Sequence, residues 1–186
     1  MVIEKRELRK QMNGFKKAIS AEDKIAAGES VFEQLIGLDE FKDASVVMVY
    51  WAMHDELPTQ VFIEQWYRQK SIILPSIDGD DLILKTYNGK TCLVAGEKYG
   101  IPEPFDTPTV NPEEIDLILV PGVAFDENCN RMGRGRGFYD RLLSAVSCPK
   151  VGICFDGQIE KQIPVESHDI PMDYVISDRR IISSLL

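Results

Sequence analysis

Three glycines alternate with two arginines in the run Gly133, Arg134, Gly135, Arg136, Gly137. Glycines at this spacing let backbone N–H groups approach an anion closely. The arginines add forked donors suited to phosphate or carboxylate. The run lies between an apolar stretch, residues 116–120 (DLILV), and a helical pattern that begins near Tyr139. A helix N-terminus there adds partial positive charge. In open α/β sheets, ligands bind outside the carboxyl ends of the strands. The pattern is neither GxxxxGK[ST] nor GxGxxG, so it points to an anion without specifying a nucleotide fold.

Asp140 is the one acid in this segment. At the start of a helix it stabilises the helix dipole. It also suits Mg²⁺, which prefers carboxylate oxygens and bridges to phosphates. Asp169 is a second candidate ligand. Asp55 and Glu56 sit at another strand exit, where a carboxylate could bind a basic or amide-bearing group. His54 and His168 are the only histidines and lie far apart in sequence, a poor basis for a metal site or for general acid–base work. There is no GxSxG, and none of Cys92, Cys129, Cys148 and Cys154 sits in a nucleophile motif. The chemistry indicated is positioning and electrostatics around a phosphate, without a covalent intermediate on the protein.

The charge pattern points the same way. The chain carries 21 Lys and Arg against 30 Asp and Glu, a formal net charge of −9. Two basic islands stand out in this acidic protein. One holds Lys5, Arg6, Arg9, Lys10, Lys16 and Lys17; the other holds Arg131, Arg134, Arg136 and Arg141. On a helix, Lys5 and Arg9 share a face, as do Arg6 and Lys10. If the first helix packs beside the glycine turn, the islands form one polyanion site; otherwise they are solvated helix ends.

The elements that must position these residues can be read from periodicity. Residues 4–19 form a helix whose apolar stripe is Leu8, Met12, Phe15 and Ile19. Ser20 and Asp23 open a second helix as a capping box. That helix buries Ile25, Phe32 and Leu35, and Gly37 ends it. Residues 45–51 (SVVMVYW) form a buried strand, 59–69 a helix and 72–75 another strand. The turn signal at Asp78, Gly79, Asp80 and Asp81 leads into 82–87 as a hairpin. Four prolines make 95–114 a turn-rich crossing. Residues 116–120 form a strand buried on both faces, followed by a long loop. A helix at 139–147 and strands at 151–155 and 174–177 complete the reading. Apolar strands alternating with helices imply a parallel or mixed sheet covered on both faces.

With 186 residues, 44% hydrophobic and 27% charged, the chain suits one globular domain spanning 1–186. It is long enough to bury a core without disulfides or a structural metal. The acidic balance disfavours a general nucleic-acid or membrane-surface binder. The N-terminus is charged from residue 4 and lacks an apolar signal region. A cytoplasmic protein with reduced thiols is expected.

Several motifs together resemble the 5-formyltetrahydrofolate cyclo-ligase (methenyltetrahydrofolate synthetase) family. They are KRELR at 5–9, AMHDELPT at 52–59, GIPEP at 100–104, DLILVPGVAFD at 116–126, NRMGRGRGFYDR at 130–141 and IPVESHD at 163–169. They stand in the family's order and cover nearly the whole chain. The resemblance implies a three-layer α/β/α fold with a mostly parallel sheet, of the NagB/RpiA/CoA transferase-like kind. It implies ATP-driven, Mg²⁺-dependent cyclisation of 5-formyltetrahydrofolate to 5,10-methenyltetrahydrofolate through a phosphorylated formyl group, with ADP and phosphate released.

The same resemblance implies roles for individual residues. Arg134, Arg136 and Asp140 are the expected catalytic group. ATP is expected at Lys5, Arg6 and Arg9, and along Arg131, Met132, Gly133, Arg134, Gly135, Arg136, Gly137, Phe138 and Tyr139. The folate, with one glutamate or several, is expected at Arg9, Trp51, Glu56, Tyr99 and the turn from Arg134 through Gly135, Arg136 and Gly137 to Phe138. Mg²⁺ is expected at Asp140 and Asp169. A monomer is expected, with no nucleic-acid or membrane partner. Three positions depart from the family pattern: Phe138 replaces a common tyrosine, Cys129 a frequent glycine, and Arg136 a lysine or glycine. Two other readings compete: a related enzyme on a sugar phosphate, with an acid–base pair and no ATP, and an RNA-binding module using the Arg/Gly turn.

Overall fold

Along the central strands, burial alternates between two sets of apolar side chains, and each set is covered by different helices. The structure, a computed structural model, describes residues 4–184. Its elements are α1 (Lys5–Ala18), α2 (Ala21–Gly37), α3 (Asp39–Asp43), β1 (Val46–Met48), α4 (Gln60–Trp66), β2 (Ser71–Asp78), β3 (Asp81–Thr86), β4 (Leu93–Ala95), β5 (Pro102–Pro104), β6 (Leu117–Pro121), β7 (Ala124–Asp126), β8 (Arg131–Met132), α5 (Phe138–Ala145), β9 (Lys150–Cys154), β10 (Ile159–Glu160), β11 (Tyr174–Ser177) and β12 (Ile181–Ser183).

Seven strands form the main sheet in the order β12-β11-β9-β6-β1-β2-β3. The five central strands run parallel, and the two edge strands pair antiparallel. Because side chains alternate along a strand, Val47, Ile72, Leu117, Leu119, Val151, Ile153 and Ile176 fall on one face, where Val31 and Leu35 of α2, Phe41 of α3 and Phe62 of α4 cover them. Met48, Ile73, Ile118, Val120, Cys154 and Val175 fall on the other, under Leu142 and Leu143 of α5 and the Phe125 ring of β7. This is the expected three-layer arrangement with a mostly parallel sheet. A smaller cluster of Leu8, Met12, Val123, Ala124, Met132 and Ile163 fastens α1 beside β7.

The N-terminus of α2 is capped as its sequence suggests: the Asp23 N–H donates to Ser20 Oγ at 3.1 Å. Other expectations need correction. Phe15 is 37% exposed, its ring lying against Gly157 at the rim, and Lys16 is buried instead, because Leu8, Met12 and Lys16 follow the straight i, i+4, i+8 line. Ile25 is also exposed. The face α2 buries is Ala27, Gly28, Val31 and Leu35, and Ile25 lies roughly 100° round the helix from its centre. Residues 49–51 leave the sheet after Met48. β2 extends past Pro75, because β1 pairs only as far as Ile73, leaving one edge of β2 open where the proline lacks its N–H.

The expected long loop after β6 contains β7 and β8, which join β10 in a three-stranded sheet. Asp126 organises it. This fully buried carboxylate accepts from the N–H groups of Asn128, Asn130 and Ile163 and from Asn130 Nδ2, at 2.9–3.1 Å. The α3 helix and the strands β4, β5, β10 and β12 were also absent from the sequence reading, being five residues or fewer. Among the described residues no helix is long and apolar enough to cross a membrane.

Candidate active site

The turn from β8 to α5 is shaped by its glycines. Gly135 and Gly137 have φ of 90° and 72°, in the region that glycine tolerates. Each of the three glycines also lies against a guanidinium. A Cβ would fall 2.9 Å from Arg131 Nη1 at Gly133, 3.4 Å from Arg9 Nη2 at Gly135, and 2.8 Å from Arg141 Nη1 at Gly137. Arg9 Nε donates to the Gly133 carbonyl at 3.0 Å. The first helix therefore packs beside the turn, and the two basic islands meet there. Gly137 caps α5 with no side chain on the helix N–H groups, which leaves them as donors for an anion.

Ion pairs fix the cations. Arg131, almost fully buried, donates from Nη2 to Asp140 Oδ1 at 2.6 Å and from Nη1 to the Pro121 carbonyl at 3.1 Å. Its Nε has no partner. Arg134 Nη2 lies between two carboxylates, 2.8 Å from Asp55 Oδ1 and 3.0 Å from Glu56 Oε1. Burial opposes the Arg134 charge, but Glu56 and Asp55 outweigh it and raise its pKa above the ordinary value. Asp55 is held from its other side by the buried Lys16 at 2.8 Å. Burial pushes the Asp55 carboxyl up, yet the bonds from Lys16 and Arg134 prevail and bring it to about 2. Arg136 is exposed and has no hydrogen bond or ion pair among the described residues, so its charge is available to a ligand.

These groups border a cleft of about 240 Å³. Trp51, Glu56, Tyr99, Arg131, Asp140 and the turn from Gly133 to Tyr139 all line it. Beside the arginines stand apolar side chains, Trp51, Ile77, Leu82, Ile101 and Phe138, and the carboxylates of Glu56 and Glu103. Tyr99 stands at φ 67°, followed by Gly100 at 63°, a tight left-handed pair at the tip between β4 and β5. The Tyr139 hydroxyl is buried without a partner; burial first, then the charge of Glu56, raises its pKa far above the ordinary range.

Not every expected residue joins the cleft. Met132 is buried in the α1 cluster and faces away. Lys5, Arg6 and Arg9 lie outside the lining. Arg9 reaches the turn, whereas Arg6 is exposed with no hydrogen bond or ion pair among the described residues. The two expected metal carboxylates have separate cationic partners. Asp140 meets Arg131, while Asp169 meets Lys5 at 2.7 Å beside Glu166 and His168. Burial raises the Asp169 pKa, but the bonds from Lys5 and the Glu166 N–H, with the Lys5 charge, together outweigh it and the net shift is downward. The sequence reading missed Tyr50, Met53, Glu103 and Ile101 in the wall, and the place of Lys16 behind it. For Lys16 a signal existed: it continues the Leu8–Met12 line.

A profile of the 5-formyltetrahydrofolate cyclo-ligase family matches residues 2–178. The 5-formyltetrahydrofolate cyclo-ligase of Mus musculus is 27% identical over 187 residues, covering 92% of each chain. The Escherichia coli K12 protein of the same name is 31% identical over 175 residues, covering 89% of this chain and 96% of its own. The fold superimposes on the 5,10-methenyltetrahydrofolate synthetase of Aquifex aeolicus with a TM-score of 0.90 and 34% identity, over 97% of this chain and 92% of that one.

Proposed function

The chain belongs to the 5-formyltetrahydrofolate cyclo-ligase family, and from that premise we propose that it closes 5-formyltetrahydrofolate to 5,10-methenyltetrahydrofolate at the expense of ATP. The observation that carries the reading is the mixed lining of one cleft: an arginine–glycine turn at a helix N-terminus together with apolar side chains and two carboxylates. The turn suits phosphates, and the apolar side chains with the carboxylates suit a flat heterocycle with N–H donors.

The formyl oxygen attacks the terminal phosphorus of ATP, and ADP leaves with the broken P–O bond. N10 then attacks the formyl carbon and loses its proton, and phosphate departs with the C–O bond. An amide-like oxygen is a poor leaving group, and phosphorylation corrects this without a protein nucleophile. The turn N–H groups and Arg136 stabilise the phosphate charge in this scheme. Arg134 orients and partly neutralises Glu56, which accepts from the pterin. Trp51, Tyr99 and Phe138 provide the ring's apolar bed. Asp140 has the donor chemistry for magnesium: Arg131 occupies Oδ1, and Oδ2 would hold the ion, since Mg²⁺ shared with phosphates needs only one or two carboxylates. Bound there, the ion would neutralise phosphate charge.

The test is an absorbance assay for the methenyl chromophore with 5-formyltetrahydrofolate, ATP and Mg²⁺, each of the last two omitted in turn. A rise that needs both is expected. No rise from folded protein would overturn the reading.

A further inference from the structure

The Lys16 side chain is 1% exposed. A buried ammonium loses several kcal/mol of hydration unless it is well paired, so its partner is decisive. That partner is Asp55 Oδ2, at 2.8 Å. Asp55 Oδ1 accepts from Arg134 Nη2, and the same Nη2 donates to Glu56 Oε1. Glu56 Oε2 in turn accepts the Met53 N–H at 3.0 Å. A line of alternating charge thus runs from the interior of α1 to the cleft. Arg134 and Glu56 border the cleft, while Lys16 and Asp55 stand behind it.

We propose that Lys16 is a positioning residue for this cleft: acting through Asp55, it sets how the Arg134 guanidinium is shared between Asp55 and Glu56, and so the charge that Glu56 presents to the ligand. The inference rests on the reading that the pterin end of the folate meets Glu56. Lys16 and Arg134 compete for one carboxylate. With Lys16 in place, Asp55 divides its charge and Arg134 remains available to Glu56. With a neutral side chain at position 16, Asp55 draws Arg134 toward itself and Glu56 loses its counter-cation.

The test compares Lys16→Met and Lys16→Arg with the wild type. For Lys16→Met, the KM for 5-formyltetrahydrofolate is expected to rise about tenfold, the scale of one displaced charged contact. The KM for ATP should change less than about twofold, and Lys16→Arg should restore most of the loss. A lysine that only holds the fold would lower the melting temperature and the active fraction while leaving both KM values unchanged, and that result overturns the proposal. If Lys16→Met does not fold, the Lys16→Met/Asp55→Asn pair removes both buried charges at once; with no carboxylate at position 55 to draw Arg134 from Glu56, the KM for 5-formyltetrahydrofolate is expected near the wild-type value, and a tenfold rise there overturns the proposal.

A second readout needs no turnover: the guanidinium resonances of Arg134 in the ligand-free protein, by ¹⁵N-edited NMR. They are expected to shift and broaden in the position-16 variant. Unchanged resonances overturn the positioning role even if the wild type is an active cyclo-ligase. Shifted resonances in an inactive wild type would keep the positioning role and sink the functional reading alone.

Discussion

Tyr139 and Asp140 are adjacent in sequence but do opposite things to stability. The Tyr139 hydroxyl is buried and unpartnered, so Tyr139→Phe removes an unmet desolvation penalty. The variant is expected to be about 1 kcal/mol more stable in urea unfolding. Its KM for one of the two substrates should rise about fivefold, if a ligand oxygen supplies the missing partner. Equal stability and unchanged kinetics would leave the hydroxyl without a role. Asp140 has a structural duty besides any metal. Asp140→Ala strands a buried arginine, so it should lose turnover and also about 3 kcal/mol of stability. Full activity would exclude Asp140 from the site. Cys129 is fully buried at φ 60°, a backbone conformation that glycine adopts more readily. The Cys129 thiol is pushed up to about 11 by burial and then by Asp126, so it is no reactive thiolate.

At the level of elements, α1 reaches the site through a buried ion pair, and that pair is sensitive to acid. The Asp55 pKa is lower folded than unfolded, so its stabilisation is complete above the unfolded value near 4. It is lost as pH falls from about 4 to about 2. The contribution is about 2 kcal/mol. Urea midpoints across this window should fall more steeply for the wild type than for Asp55→Asn; parallel curves would refute the assignment. A second contact between elements places β7 over the main sheet. The Phe125 ring lies against Gly122 and Gly152 so closely that a Cβ on either would overlap it. Since the ring is fully buried and cannot yield, Gly152→Ala should destabilise by about 1–3 kcal/mol in the same assay.

Over the whole molecule, the cleft opens where the chain's winding reverses. From β1 the chain moves outward to β2 and β3, then returns to β6 on the other side of β1. The exits of β1 and β6 diverge there, which leaves the crevice where α/β sheets bind ligands. Tyr50, Trp51 and Met53 come from one exit, and Pro121, Gly122 and Val123 from the other. The two apolar faces share one sheet, so the layers should unfold together. A single calorimetric transition, with van't Hoff and calorimetric enthalpies in agreement, is expected. Two resolved transitions would divide the chain into more than one unit.

The sequence by itself determined the layered α/β class, the central strands, the capped second helix and the glycine–arginine turn, because each is written in local periodicity or in residues with special backbone freedom. It also carried the family's motifs. The tertiary structure alone decided which charges meet. Lys16 and Asp55 lie 39 residues apart, and Asp55 and Arg134 lie 79 apart. Local pattern says nothing about pairs brought together by the return of β6 beside β1. It also gave Phe15 and Ile25 to the core, although Phe15 sits at its rim and the face of Ile25 turns outward. Short strands such as β7 and β8 escaped for a related reason: besides the local bonds of Asp126, they are held by its bond from the distant Ile163 N–H and by the packing of Phe125 against Gly152, which are long-range interactions.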